Sequence, residues 1–198
     1  MILGITGGIG AGKSTVLNIL REKYQFVIFE TDAIAKEIME PNKQAFHRIV
    51  ASFGETILNR DGAIDRRKLA DIVFRDKDKL RELNQIVHPA VIKEVSDKIE
   101  GLKAEGKDRF VIESALLIDS GCYKICDKVW FIDTETDVRR ERLKSLRNMT
   151  DRQIDDVIKN QLKKEDCMSY VDDVIDNSGD IDITEQQMEK ILFISYAL

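Results

Sequence analysis

The sequence predicts a three-layer α/β core, a parallel sheet covered by helices on both faces, with a separate helical lobe inserted into it. Three observations predict this. Short apolar runs alternate with amphipathic segments at both ends of the chain. A glycine-rich turn joins the first such run to the first helix. The stretch 33–107 reads as helices alone, which is too long for a plain crossover between strands.

Met1 to Thr6 is short, mostly apolar and followed at once by glycines, the pattern of a buried parallel strand. A helix is expected from Lys13, burying Val16, Leu17, Ile19 and Leu20. Phe26-Val27-Ile28-Phe29 is a second strand, ending at Glu30-Thr31-Asp32. Within the insert, Pro41 breaks the first helix, Gly54 caps the next, and Asn59-Arg60-Asp61-Gly62 is a turn whose Asp-Gly pair supplies the backbone angles. Pro89 is expected as the first residue of another helix, where its missing N–H costs nothing. Val91, Val95, Ile99 and Leu102 recur there at helical spacing, and Gly106 ends the helix.

Phe110-Val111-Ile112-Glu113 and Val129-Trp130-Phe131-Ile132-Asp133 are two further buried strands, each ending in an acid. A basic helix with Arg139, Arg140, Arg142, Lys144 and Arg147 follows, then one opened by Thr150-Asp151. Val174-Ile175 forms a last strand before Asn177-Ser178-Gly179, and a helix closes the chain. The expected division is a core of 1–32, 108–134 and 170–198, a helical lobe of 33–107, and a lid region of 135–169.

The 198 residues, 43% hydrophobic and 34% charged, suffice for one good core and a small second lobe. A formal net charge of -5 argues against a nucleic-acid binder, so an anionic ligand has to be gripped locally. Cys122, Cys126 and Cys167 are odd in number and lack framework spacing, which points to a reduced, cytoplasmic protein. Neither histidine lies near Cys122 and Cys126 in sequence, so structural zinc is not expected. Met1-Ile2-Leu3 has no preceding basic region and reads as a core strand rather than a signal peptide. No apolar run approaches membrane-spanning length.

The chemistry is carried by Gly7-Gly8-Ile9-Gly10-Ala11-Gly12-Lys13-Ser14, which meets the spacing G-x-x-x-x-G-K-S between an apolar strand and an amphipathic helix. Glycines let the backbone wrap closely around phosphate oxygens with N–H groups pointing inward. The helix starting at Lys13 adds the positive end of its dipole. Lys13 can reach the β- and γ-phosphates, and the Ser14 hydroxyl can ligate Mg²⁺. The bland alternative is a glycine-rich strand-to-helix turn without a ligand.

Other patterns separate the users of such a loop. The Asn-Lys-x-Asp motif of guanine-specific switches fails at Asn42-Lys43, which is followed by Gln44-Ala45. A D-x-x-G pattern at Asp176 to Gly179 lies too late in the chain for a switch loop, and no transporter-type signature is present. A small core, a helical insert and an arginine-rich helix suit a small-molecule kinase.

At full length the residues resemble the dephospho-coenzyme A kinases. The resemblance begins at Leu3 to Thr15 and continues at Asp32-Ala33-Ile34-Ala35, Glu40-Pro41 and Phe53-Gly54. It resumes at Asp61 to Arg66 with Leu69, at Val73-Phe74, and at Leu83-Asn84-Gln85-Ile86-Val87-His88-Pro89, similar to the family's helix-terminating His-Pro signature. It ends with Gln161 and Asp173 to Gly179. Three segments depart: Glu30-Thr31-Asp32 stands for Asp-x-Asp, Ala115-Leu116-Leu117-Ile118-Asp119 for Pro-Leu-Leu-Phe-Glu, and the loop Arg147 to Thr150 is one residue short.

The resemblance implies a P-loop nucleotide kinase fold, with 33–107 as the acceptor lobe, and transfer of the ATP γ-phosphate to the ribose 3′-hydroxyl of dephospho-coenzyme A with Mg²⁺. A nucleoside or nucleotide kinase with the same core, or a nucleotide-sensing module without turnover, are the rival readings. Lys13, Asp32 and Arg142 are the expected catalytic residues, Asp32 as general base. Gly8, Gly10, Ala11, Gly12, Lys13, Ser14, Thr15, Arg147 and Asn177 are expected to bind ATP, and Thr6, Asp32, Arg66, His88 and Leu116 the acceptor. The plainer roles are a helix N-cap for Asp32, a helix end for His88, a turn for Asn177, and a solvated face for Arg139, Arg140 and Lys144. Glu113, Asp133 and Asp32 through water are the carboxylates that could support the metal. The expected state is monomer or weak homo-oligomer, without nucleic acid or membrane.

Overall fold

The computed structural model describes residues 1–159 and 164–196; Gln161 of the matched pattern lies outside them. In chain order the elements are β1 (Ile2–Gly7), α1 (Lys13–Tyr24), β2 (Val27–Glu30), α2 (Thr31–Ile38), α3 (Gln44–Phe53), α4 (Arg66–Arg75), α5 (Lys77–Ala104), β3 (Phe110–Glu113), β4 (Lys128–Asp133), α6 (Thr136–Arg147), α7 (Asp151–Lys159), α8 (Lys164–Cys167), β5 (Asp173–Asp176) and α9 (Ile181–Tyr196). They form two compact units, one of Met1–Ile28, Arg109–Asp119 and Tyr123–Leu198, the other of Phe29–Asp108 and Ser120–Cys122.

The first unit carries the sheet. Its sheet has the order β2-β3-β1-β4-β5, with β3, β1, β4 and β5 paired in parallel. β1 lies between two neighbours, so Leu3 and Ile5 are fully buried, as a central parallel strand requires. Val16, Leu17, Ile19 and Leu20 of α1 pack with Trp130, Ile132, Ile175, Met188 and Leu192 into one core. α1 stops because Gln25 turns left-handed at φ 58°, and the Phe26 N–H returns to the Leu20 carbonyl at 3.1 Å. Registers set the sheet's functional edge: Ile5 pairs with Glu113, Gly7 with Ile132, and Asp133 with Asp176.

The second unit is helical around Phe46, Ile49, Ile57, Ile64, Leu69, Val73 and Ile86. Gly54 caps α3 at φ 79°, as expected. The turn at Asn59 to Gly62 also forms: Gly62 has φ 79°, and the Asn59 side chain accepts from the N–H groups of Asp61 and Ala63, both at 3.0 Å. Asp65 caps α4 and Asp76 caps α5 through their carboxylates.

One expectation needs correction. Pro89 does not open a helix; it lies inside the 28-residue α5, and His88 therefore does not end one. A mid-helix proline forfeits the hydrogen bond to the carbonyl four residues back, here Gln85. The helix persists because Asp76 caps it upstream and buried Ile86, Val91, Val95 and Ile99 anchor it on both sides of the break. Asp32 does not take the plainer role of a helix cap. It stands in the first turn of α2, whose N-cap position is Glu30, with no side-chain capping bond.

Candidate active site

The glycine loop leaves β1 at Gly7 and enters α1 at Lys13. Gly12 holds a left-handed conformation at φ 78°, and a Cβ there would fall 2.1 Å from Asn177 Nδ2, so no other residue fits. The Lys13 ammonium donates to the Gly7 carbonyl at 3.0 Å and lies 3.5 Å from Glu113 Oε1. Both side chains are largely shielded from water, at 16% and 14% exposure, which strengthens their attraction. Ser14 is exposed in the first turn of α1. Thr6 is buried in β1, and Leu116 is 52% exposed in the segment after β3.

The two acids at strand ends have separate neighbours. Glu113 faces Lys13. Asp133 accepts the Thr134 N–H at 3.0 Å and pairs with Lys164 of α8. Beside the loop a cavity of about 200 Å³ is lined by Gly8, Ala11, Asp133, Thr134, Arg139 and Lys164, among others.

The arginines of α6 divide unexpectedly. Arg142 Nη1 is buried without a hydrogen-bond partner among the described residues, 3.3 Å from the position of a Gly12 Cβ. A buried donor left unmade costs about 1–3 kcal/mol. Arg139 is not on a solvated face. It is half-buried, lines the cavity, and donates from Nε to the Ile9 carbonyl at 3.1 Å. Burial pushes its guanidinium pKa down, against the opposing pull of Asp133. One helical turn before Arg142, it shares that residue's face, and this spacing was the signal available in the sequence. Arg140 and Lys144 bind Asp151, and Arg140 also Asp155, so this part of α6 is tied to α7. Thr150 and Gln153 exchange bonds in a capping box that starts α7. Arg147 is exposed at the end of α6, before the left-handed Asn148.

Asn177 is 3% exposed and does not act as a turn former. Its Nδ2 donates to the Ala11 carbonyl at 2.8 Å, and its Oδ1 accepts from Thr184 of α9 at 3.0 Å.

Asp32, Arg66 and His88 belong to the helical unit. Asp32 is exposed in α2 immediately after β2. Arg66, exposed at the start of α4, lies 3.6 Å from Glu40, and the Asp65 carboxylate before it caps α4. His88 is half-buried within α5.

Oxygen donors suit Mg²⁺. Ser14 follows Lys13 in the chain, Glu113 lies 3.5 Å from the Lys13 ammonium, and no cluster of three or more His, Cys, Asp or Glu is present among the described residues. That sparse donor set fits an ion that keeps waters and takes substrate phosphate oxygens.

A sequence profile described as dephospho-CoA kinase matches residues 1–182. A dephospho-CoA kinase of Carboxydothermus hydrogenoformans is 38% identical over 191 residues, covering 96% of this chain and 92% of that one. A crystal structure from Thermus thermophilus superposes with a TM-score of 0.80 at 25% identity, covering 99% of this chain and 97% of that one. The structure of a dephospho-CoA kinase from Campylobacter jejuni gives 0.69 at 26%, covering 99% and 98%.

Proposed function

The chain belongs to the dephospho-CoA kinase family, and from that premise we propose that it transfers the γ-phosphate of ATP to the ribose 3′-hydroxyl of dephospho-coenzyme A, the last step of coenzyme A biosynthesis. The observation that carries this reading is the family match over residues 1–182, which includes both the phosphate loop and the helical unit.

The ATP phosphates lie in the loop from Gly8 to Gly12, against the first turn of α1 with Ser14 and Thr15. Lys13 neutralises the β- and γ-phosphates; Glu113 holds the ammonium ready when nucleotide is absent. Ser14 and Glu113 would hold Mg²⁺, which when bound supplies charge neutralisation across the β- and γ-phosphate oxygens. Asp32 accepts the proton of the acceptor hydroxyl as its oxygen bonds to the γ-phosphorus. The bond from that phosphorus to the β,γ-bridging oxygen breaks, and ADP leaves with its electron pair.

Arg142, with its orphaned buried donor, stabilises the charge on the moving phosphoryl group. Arg147, exposed at the end of the same helix, closes over ATP from the 135–169 lid. Thr6, Arg66, His88 and Leu116 hold the acceptor, Arg66 and His88 from the 33–107 lobe. The protein works in the cytoplasm as a monomer or weak homo-oligomer, without nucleic acid. The acidic net charge and cysteines outside disulfides support this, and no described helix is long and apolar enough to cross a membrane.

The test is to incubate the protein with Mg-ATP and dephospho-coenzyme A and to follow ADP and 3′-phosphorylated coenzyme A. Nucleosides and nucleoside monophosphates serve as competing acceptors. Phosphorylation of those acceptors alone, or ATP binding without any product, overturns the reading.

A further inference from the structure

Two carbonyls of the phosphate loop are held from outside it. Asn177 Nδ2 reaches the Ala11 carbonyl at 2.8 Å, and Arg139 Nε reaches the Ile9 carbonyl at 3.1 Å. The Thr134 hydroxyl also faces the Ala11 carbonyl at 3.0 Å, but its one proton is shared with the Asp133 carbonyl at 2.6 Å. Asn177 is therefore the firmer donor to Ala11. Its amide is oriented in turn by Thr184, fully buried on α9, which donates to Oδ1.

The consequence follows from peptide geometry. In a trans peptide the C=O of one residue and the N–H of the next point in opposite directions, and the described chain has no cis bonds. Holding the Ala11 carbonyl outward turns the Gly12 N–H the other way, and holding the Ile9 carbonyl outward does the same for Gly10. Neither N–H has a partner among the described residues. The contacts are close enough to shape the sequence. A Cβ at Gly12 would meet Asn177 Nδ2, and one at Gly10 would lie 3.0 Å from Leu143 and 3.2 Å from the Arg139 carbonyl.

We propose that Asn177 and Arg139 are positioning residues of the phosphate loop, which aim the Gly12 and Gly10 N–H groups at the nucleotide's phosphates by holding the Ala11 and Ile9 carbonyls from the opposite side. This rests on the reading of the loop as an ATP phosphate site. It assigns Asn177 to the loop's backbone rather than to direct contact with ATP, and gives Arg139 a part distinct from that of Arg142. Asn177 is neutral, so its effect is separable from simple charge attraction.

The experiment measures ADP, ATP and adenosine binding to the full chain by displacement of a fluorescent ADP analogue, for wild type, Asn177→Ala, Arg139→Met and Arg139→Lys. Losing one held N–H should weaken ADP and ATP by about 3- to 10-fold while adenosine stays within about twofold. Arg139→Lys, which keeps a donor, should recover part of the loss. ADP affinity unchanged in folded Asn177→Ala, or ADP and adenosine falling together as a base contact requires, overturns the proposal. Should Asn177→Ala fail to fold, Arg139→Met decides by the same criterion, since its apolar stem fills the half-buried space. Wild-type protein that binds ADP but leaves dephospho-coenzyme A unmodified refutes the acceptor assignment alone; wild type that binds neither ADP nor ATP refutes both.

Discussion

The Lys13 ammonium and the Glu113 carboxylate stand 3.5 Å apart, one opening α1 and the other closing β3. The register that pairs Ile5 with Glu113 brings this acid beside the root of the loop. Replacing Lys13 by Met should reduce kcat/KM by about 10² or more, the usual cost of removing a donor aimed at developing charge. Glu113→Gln should raise the Mg²⁺ concentration for half-maximal rate by about tenfold. A magnesium titration of steady-state rate checks both, and an unchanged midpoint in Glu113→Gln removes this residue from the metal site.

Arg142 carries a buried N–H with no partner among the described residues. If that donor is completed by the transferring phosphoryl group, Arg142→Ala should lower kcat by about 10³ with a smaller change in ADP affinity. Lysine at this position should restore only part of the rate, because it lacks the planar fork. Single-turnover kinetics separate the two effects, and a loss confined to ADP binding counts against the assignment.

Asp32 lies in the first turn of α2 without a capping bond, so removing its charge should leave the helix intact. Asp32→Asn should keep its melting temperature and ATP affinity while kcat falls by about 10² or more. Turnover near the wild-type rate would sink the general-base role.

Pro89 interrupts the hydrogen bonding of α5 and is itself exposed. Pro89→Ala should restore the bond to the Gln85 carbonyl and stabilise the protein by about 1–3 kcal/mol. Urea unfolding measures this directly. A gain in stability with loss of activity would show that the interrupted helix places His88 for the acceptor.

Acid should destabilise the fold. The Lys98 ammonium, hydrogen-bonded to Glu37, holds that carboxyl below the usual range, and bonds from Ser178 do the same for Asp176. A carboxylate with a depressed folded pKa contributes stability above its unfolded value, near 4, and loses it as pH falls through the lower folded value. Melting temperature should therefore be flat from about pH 5 to 7 and drop below about pH 4. Glu37 is 43% exposed, so Glu37→Gln should cost no more than about 1 kcal/mol at neutral pH, and the difference should vanish in acid.

Much of this was legible along the chain. The strands at β1, β3 and β4, the cap at Gly54 and the turn at Gly62 all depend on local periodicity or on one residue's backbone freedom. Pro89 misled because a local preference was outweighed by distant packing of Ile86, Val91, Val95 and Ile99. Arg139 misled because a basic helix looks solvated until the element packed against it is known. Asn177 was recognised as part of the pattern, but its partners are 166 residues upstream at Ala11 and seven downstream at Thr184.

By itself the sequence determined the phosphate loop, the alternation of strand and helix, and the family, because each is written in neighbouring residues or in their order. Tertiary structure alone gave different partners to two acids that end apolar strands on either side of β1. Glu113 reaches Lys13, whereas Asp133, one residue beyond the Ile132–Gly7 pairing, is taken up by Lys164. The difference lies in strand register and side-chain direction, which are set by the packed sheet and leave no mark in either strand's own residues.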